Sequence, residues 1–93
     1  MFVAAFEWDD ANEEHLGAHG IDPEEVEEVF EDIVVRRRGG TDSPDRFRVL
    51  GRTSAGRYLA VVYQLKHGSV VRPITGWDMR PHERTLYDRQ TRH

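Results

Sequence analysis

Residues Arg46–Trp77 read RFRVLGRTSAGRYLAVVYQLKHGSVVRPITGW, and this stretch decides the fold. It holds three runs rich in β-branched and aromatic residues: Arg46–Arg52, Arg57–Lys66 and Ser69–Trp77. Only Thr53-Ser54-Ala55-Gly56 and His67-Gly68 separate them. Short glycine-containing links between such runs predict hairpins, and successive hairpins predict an antiparallel meander. Pro73 has no N–H to give to a ladder, so the last strand is expected to lie at a sheet edge or to bulge there.

Working outward, Ile33–Arg38 (IVVRRR) adds a strand, and Gly39–Pro44 supplies a loop of turn-forming residues. Upstream, Asp22-Pro23-Glu24-Glu25 is a helix start: Asp22 caps, Pro23 takes the first helical position, and Glu25 lies where its side chain can reach back to the cap. Val26, Val29, Phe30 and Ile33 then form a buried stripe, with Glu24, Glu27, Glu28 and Glu31 on the wet face. Phe2–Trp8 (FVAAFEW) reads as a first strand. Asp9 or Asp10 caps a short helix over Ala11–Leu16, which Gly17 and Gly20 end. Downstream, Arg80-Pro81-His82-Glu83 starts a last helix with Leu86 and Tyr87 on its apolar side, and Arg89–His93 is expected to fray. The order β-α-α-β-β-β-β-α predicts the α+β class, a mostly antiparallel sheet with helices packed on one face. At 93 residues the chain is expected to be a single domain.

The chain has no cysteine, which removes disulfides and thiolate metal sites. No apolar run approaches the roughly 20 residues that span a bilayer, so no membrane partner is expected. The first ten residues lack a basic segment followed by an apolar stretch, and the expected location is cytoplasmic. His15 and His19 are spaced like metal ligands on a helix, but Gly17 interrupts them and no third ligand is evident. No phosphate-cradling or dinucleotide-binding glycine motif is present, so neither metal nor cofactor is predicted.

Charge is the strongest functional signal. Residues 1–35 carry twelve acidic side chains and no Lys or Arg. All thirteen basic side chains lie from Arg36 onward, against five acidic ones. If the halves separate in space, the domain gains a basic face able to hold phosphates; if they interleave, they neutralise each other.

Several segments in order resemble the BrnT family of toxin ribonucleases: Phe6-Glu7-Trp8-Asp9; His19-Gly20-Ile21 before the acidic helix ending Val29-Phe30; Arg46 with Leu50-Gly51-Arg52-Thr53; Gly56-Arg57-Tyr58-Leu59 with Val61-Val62-Tyr63; Arg72-Pro73-Ile74-Thr75; and Glu83-Arg84-Thr85-Leu86-Tyr87. The resemblance implies a RelE-like fold and a type II toxin-antitoxin pair. It also implies metal-independent endoribonuclease activity, with inhibition of growth held in check by a cognate antitoxin. Operator DNA would be a partner only through the antitoxin complex. A homodimer is a further possible assembly, and the antitoxin or a second copy is expected to cover a sheet edge. Two positions depart from the family pattern: Ala18 stands where a lysine is common, and Trp77 stands where Ser/Thr-Ala-Arg would place an arginine. An inactive RelE-like module that binds an antitoxin or nucleic acid is therefore the alternative reading.

Metal-free RNA cleavage needs a base for the 2′-hydroxyl, an acid for the leaving oxygen, and cations for the charge growing on the phosphate. The candidate catalytic residues are Arg52 and Arg72 as phosphate cations, expected on neighbouring strands, and His19 and His82 as acid or base. Arg46, Arg57, Arg80 and Tyr87 are candidate RNA contacts. So is Trp77, whose ring could stack on a base or pack in the core.

Overall fold

The computed structural model describes residues 1–38 and 44–91. The eight elements follow the expected order: β1 (Ala5–Phe6), α1 (Asp10–Ala18), α2 (Pro23–Glu31), β2 (Ile33–Arg38), β3 (Arg46–Arg52), β4 (Tyr58–Lys66), β5 (Val70–Asp78) and α3 (Pro81–Thr91). The fold is α+β. β2 to β5 form the antiparallel meander, and β1 adds in parallel to β5, giving the sheet order β1-β5-β4-β3-β2.

The N-terminal strand is shorter than its apolar composition suggests. Only Ala5 and Phe6 pair with Val70 and Val71, with Glu7 N–H still reaching Val71 O at 2.8 Å. The ladder cannot continue because Pro73 offers no N–H two residues on. Pro73 also marks the bulge: Val62 opposes Thr75 and Tyr63 opposes Pro73, so Ile74 is the extra residue on β5. The last strand is thus bulged and, over its first residues, covered by β1.

Capping sets the helix starts. Asp9 accepts from Asn12 N–H at 3.0 Å, and the Asn12 side chain accepts from Asp9 N–H at 2.9 Å. At α2, Glu25 Oε1 accepts from Asp22 N–H at 3.1 Å. α3 runs to Thr91, beyond the point at which fraying was expected, and the Thr91 hydroxyl donates to Tyr87 O at 3.1 Å in its last turn. Of the expected loop Gly39–Pro44, residues 39–43 lie outside the described residues, as do the last two residues of the chain.

Both faces of the sheet are packed, in unequal measure. Leu16 of α1, Ile21, and Val26, Val29 and Phe30 of α2 bury against Val49, Leu59, Val61, Tyr63 and Val71. A Cβ at Gly51 would lie 2.7 Å from Val29 Cγ1 and 3.0 Å from Val29 O, so only glycine admits α2 this close to β3. Tyr87 and Leu86 of α3 pack with Val35, Leu50, Ala60, Tyr58 and Trp77, the residues that alternate to the other side. The expectation that all helices share one face therefore holds for α1 and α2 but not for α3. Each strand of the meander carries apolar residues on both sides, and the second apolar row needed its own cover.

Candidate nucleic-acid interface

α3 covers only part of its face. The row Val35–Leu50–Ala60–Trp77, matched across β2, β3, β4 and β5, lies beneath it. The next row on that face is Arg37–Arg48–Val62–Thr75, and the one beyond contains Arg46–Gln64–Arg72. Ala60 is fully buried, whereas Val62, on the same central strand and the same side, is only half-buried. Among the described residues the two outer rows are therefore not covered by α3 and are part-exposed. Neighbouring strands are about 4.8 Å apart and same-face residues on a strand about 7 Å apart. Four arginines thus share a shallow surface with a glutamine and a threonine. α2, with Glu24, Glu27, Glu28 and Glu31, lies on the opposite face of the sheet.

Where this surface meets α3, Glu83 closes it off. Glu83 is 1 % exposed. Its Oε1 accepts from Trp77 Nε1 at 2.9 Å and from the backbone N–H of Arg80 at 2.9 Å, so it also caps α3 from within. Its Oε2 is buried, lacks a hydrogen-bond partner among the described residues, and lies 3.6 Å from Arg48 Nη1. Arg80 stacks over the Trp77 ring with its guanidinium carbon 4.6 Å from the centroid.

Arg46, Arg72, Trp77 and Arg80 are on or beside this surface, and His82 follows Arg80 by two residues, exposed on the first turn of α3. The Trp77 ring has its N–H and one face engaged, so it belongs to the wall of the surface and not to an open stacking platform. Arg52 lies elsewhere. It opposes Tyr58 while Arg72 opposes Gln64, six residues further along β4, which separates them by roughly 20 Å. They sit on β3 and β5 with β4 between them, not on neighbouring strands. Arg52 lies over the Tyr58 ring and lines a hollow with Glu28, Glu31, Asp32, Thr53 and Ser54.

Three other candidates are placed by packing. His19 is the C-cap of α1, whose Leu16 packs on the α2 face of the sheet. Arg57 is a clip: Nε donates to Asp78 Oδ1 at 2.8 Å, and Nη1 donates to Gly20 O at 2.7 Å and Glu25 Oε1 at 3.1 Å. Tyr87 is 7 % exposed and meets Tyr58 edge to face. An arrangement with one histidine per face cannot use both on one phosphate.

Charge pairing is selective. Arg72 donates to Asp9 at 2.8 Å and Glu7 at 3.1 Å, and Lys66 also binds Glu7. Arg72 holds the Asp9 carboxyl below the usual carboxylate range, Lys66 and then Arg72 do so for Glu7, and Arg57 does so for Asp78. At these sites the acidic and basic halves neutralise each other. On the open rows the pairing is uneven: Arg72 is held by Asp9 and Glu7 and Arg48 has Glu83, while neither Arg37 nor Arg46 has an ion pair among the described residues.

Arg37, Arg48, Gln64 and Glu83 were not anticipated. The first three could have been found by counting in twos from buried Leu50 along β3 and then across the register. Glu83 could not, because a glutamate in a first helical turn ordinarily faces water.

Among the described residues no helix is long and apolar enough to cross a membrane, and no three His, Asp or Glu side chains cluster as metal ligands. No curated protein matches the chain. The profile of a family described as the ribonuclease toxin BrnT of a type II toxin-antitoxin system matches residues 8–83. That span runs from Trp8, just past β1, to Glu83 and includes the whole meander, so the chain belongs to the BrnT family of ribonuclease toxins of type II toxin-antitoxin systems.

Proposed function

We propose that the chain is a metal-independent endoribonuclease that lays RNA across the open rows of the sheet beside α3. One observation carries this reading. The two buried side-chain polar atoms that lack a hydrogen-bond partner among the described residues, Arg46 Nε and Glu83 Oε2, both border the arginine rows. A buried polar atom left unpaired costs on the order of 1–3 kcal/mol, and two of them beside one set of arginines mark a surface not shaped for stability alone.

In this reading the RNA 2′-oxygen attacks the adjacent phosphorus while the bond to the 5′-oxygen breaks, leaving a 2′,3′-cyclic phosphate. Arg46 and Arg48 stabilise the charge that builds on the phosphoryl oxygens, and Arg72 joins them by exchanging its carboxylate partners Asp9 and Glu7 for the phosphate. His82 is the acid or base candidate on this side, while His19 belongs to the other face and Arg52 lies too far along the sheet to share the same phosphate. The family pairs its toxins with a cognate antitoxin, and we assign the same partner here, with operator DNA bound only through that complex.

The test is cleavage of single-stranded RNA by the purified chain in excess EDTA, beside Arg46→Ala. Fragments ending in 2′,3′-cyclic phosphate, lost in the variant, are expected. RNA left intact both by the purified chain and in a translating extract would leave the alternative, a RelE-like binding module. The engagement of Trp77 by Glu83 and Arg80, at the position where the family pattern places an arginine, favours that alternative.

A further inference from the structure

Arg48 and Trp77 meet on one carboxylate from two strands that are not neighbours. Trp77 on β5 donates its N–H to Glu83 Oε1, and Arg48 on β3 approaches Glu83 Oε2, with β4 between them. The carboxylate is anchored at one oxygen by two hydrogen bonds and offers the other, desolvated, toward the arginine rows. Buried to this extent, Glu83 cannot reach a 2′-hydroxyl itself, so it is not a general base. It can fix a cation. The Arg48 side chain is 36 % exposed, with room to present its guanidinium to a ligand, and 3.6 Å is about half an ångström beyond a hydrogen bond. A small shift on phosphate binding would bring one edge of the fork onto Glu83 while the other meets the phosphate.

We infer that Arg48, oriented by buried Glu83, supplies from β3 a phosphate-binding cation of this surface. The inference rests on the RNA-binding reading of the open rows. Glu83 is a positioning residue, and Trp77 is its anchor: the indole N–H and the Arg80 backbone N–H hold the carboxylate toward Arg48. Among the described residues, the charged groups beside Arg48 on this face besides Glu83 are Arg37, opposite it on β2, and Arg46, two residues away on β3. Neither carries negative charge, so Glu83 is the carboxylate in position to orient it.

The test measures binding of a 2′-O-methyl RNA oligonucleotide, which cannot be cleaved, to the full chain and to Arg48→Ala, Glu83→Gln and the double variant. Gln keeps an acceptor for Trp77 and Arg80 and replaces the oxygen facing Arg48 with an uncharged amide NH2. Simple electrostatics predicts tighter RNA binding once a negative charge is gone; positioning predicts the opposite. We expect Glu83→Gln to weaken binding about three- to fivefold, and to have no further effect once Arg48 is Ala, as befits a half-exposed ion pair. Weakening by Arg48→Ala with unchanged or tighter binding by Glu83→Gln would overturn the positioning role alone. No effect of Arg48→Ala would remove the RNA-binding reading of the open rows itself. Trp77→Phe, which loses the indole N–H and keeps every charge, gives a second route: it is expected to weaken binding only when Arg48 is present, and equal effects in both backgrounds would overturn the inference.

Discussion

The buried side-chain amide of Asn12 donates to Pro73 O at 2.9 Å and to Glu7 O at 2.9 Å, joining the two strands just where their backbone pairing ends. β1 stops pairing at Phe6, and Pro73 sits in the bulge of β5, so both carbonyls would otherwise be orphaned beneath α1. The same residue completes the capping box of α1. One side chain thus fixes the first helix to the sheet.

Asn12→Ala removes both donors and half of the cap. Because a buried carbonyl left unpaired costs about 1–3 kcal/mol, we expect a total destabilisation of roughly 2–4 kcal/mol. Urea unfolding of the two proteins measures it, and a loss below about 1 kcal/mol would show that the helix and strand hold together without the amide.

Acid should weaken the fold through a defined set of carboxylates. Asp9, Glu7 and Asp78 have folded-state values lowered by Arg72, Lys66 and Arg57 respectively as the leading cation. A lowered folded value means that the stabilisation is complete above the unfolded value, near pH 4, and is lost as pH falls through the folded values. Thermal midpoints measured from pH 7 down to pH 2.5 should therefore be level at first and drop below about pH 4. Asp9→Asn keeps the cap but removes the charge facing Arg72, so its acid limb should be shallower; identical limbs would mean that the pair with Arg72 contributes nothing.

Restoring an arginine at position 77 should compensate for the loss of Arg48. An arginine there would reach the Glu83 carboxylate that Trp77 Nε1 now holds. In the Arg48→Ala background, Trp77→Arg is expected to recover most of the lost affinity for 2′-O-methyl RNA. It should also lower stability by roughly 1–3 kcal/mol, since Trp77 packs with the Tyr58 and Tyr87 cluster. Affinity measured well below the melting transition separates the two effects. A variant that stays folded and still binds as weakly as Arg48→Ala would sink the idea that the two positions serve one carboxylate.

Much of this protein was legible in its residues because the signals were local. The alternation in Arg46–Lys66 placed β3 and β4 within a residue of their observed bounds, and Asp22-Pro23 placed the start of α2. Local patterns failed where a partner distant in sequence decided the outcome. The apolar composition of Phe2–Trp8 suggested a full strand, but pairing needs a neighbour with free backbone groups, and β5 offers few beyond Val71. The arginines were readable as a basic half, yet Arg57 and Arg72 are tied to carboxylates contributed by the acidic half.

By itself, the sequence determined the element order, the α+β class and the two charge populations, because each is set by the kinds and order of residues along the chain, and its ordered motifs carried the family resemblance. Only the tertiary structure decided which arginines share a surface. Alternation assigns each side chain to one side of its strand, but the register across four strands and the sheltering of one row by α3 fix which rows remain open. The same packing desolvates Glu83 and aims it at Arg48, an encounter that no spacing between residues 48 and 83 encodes.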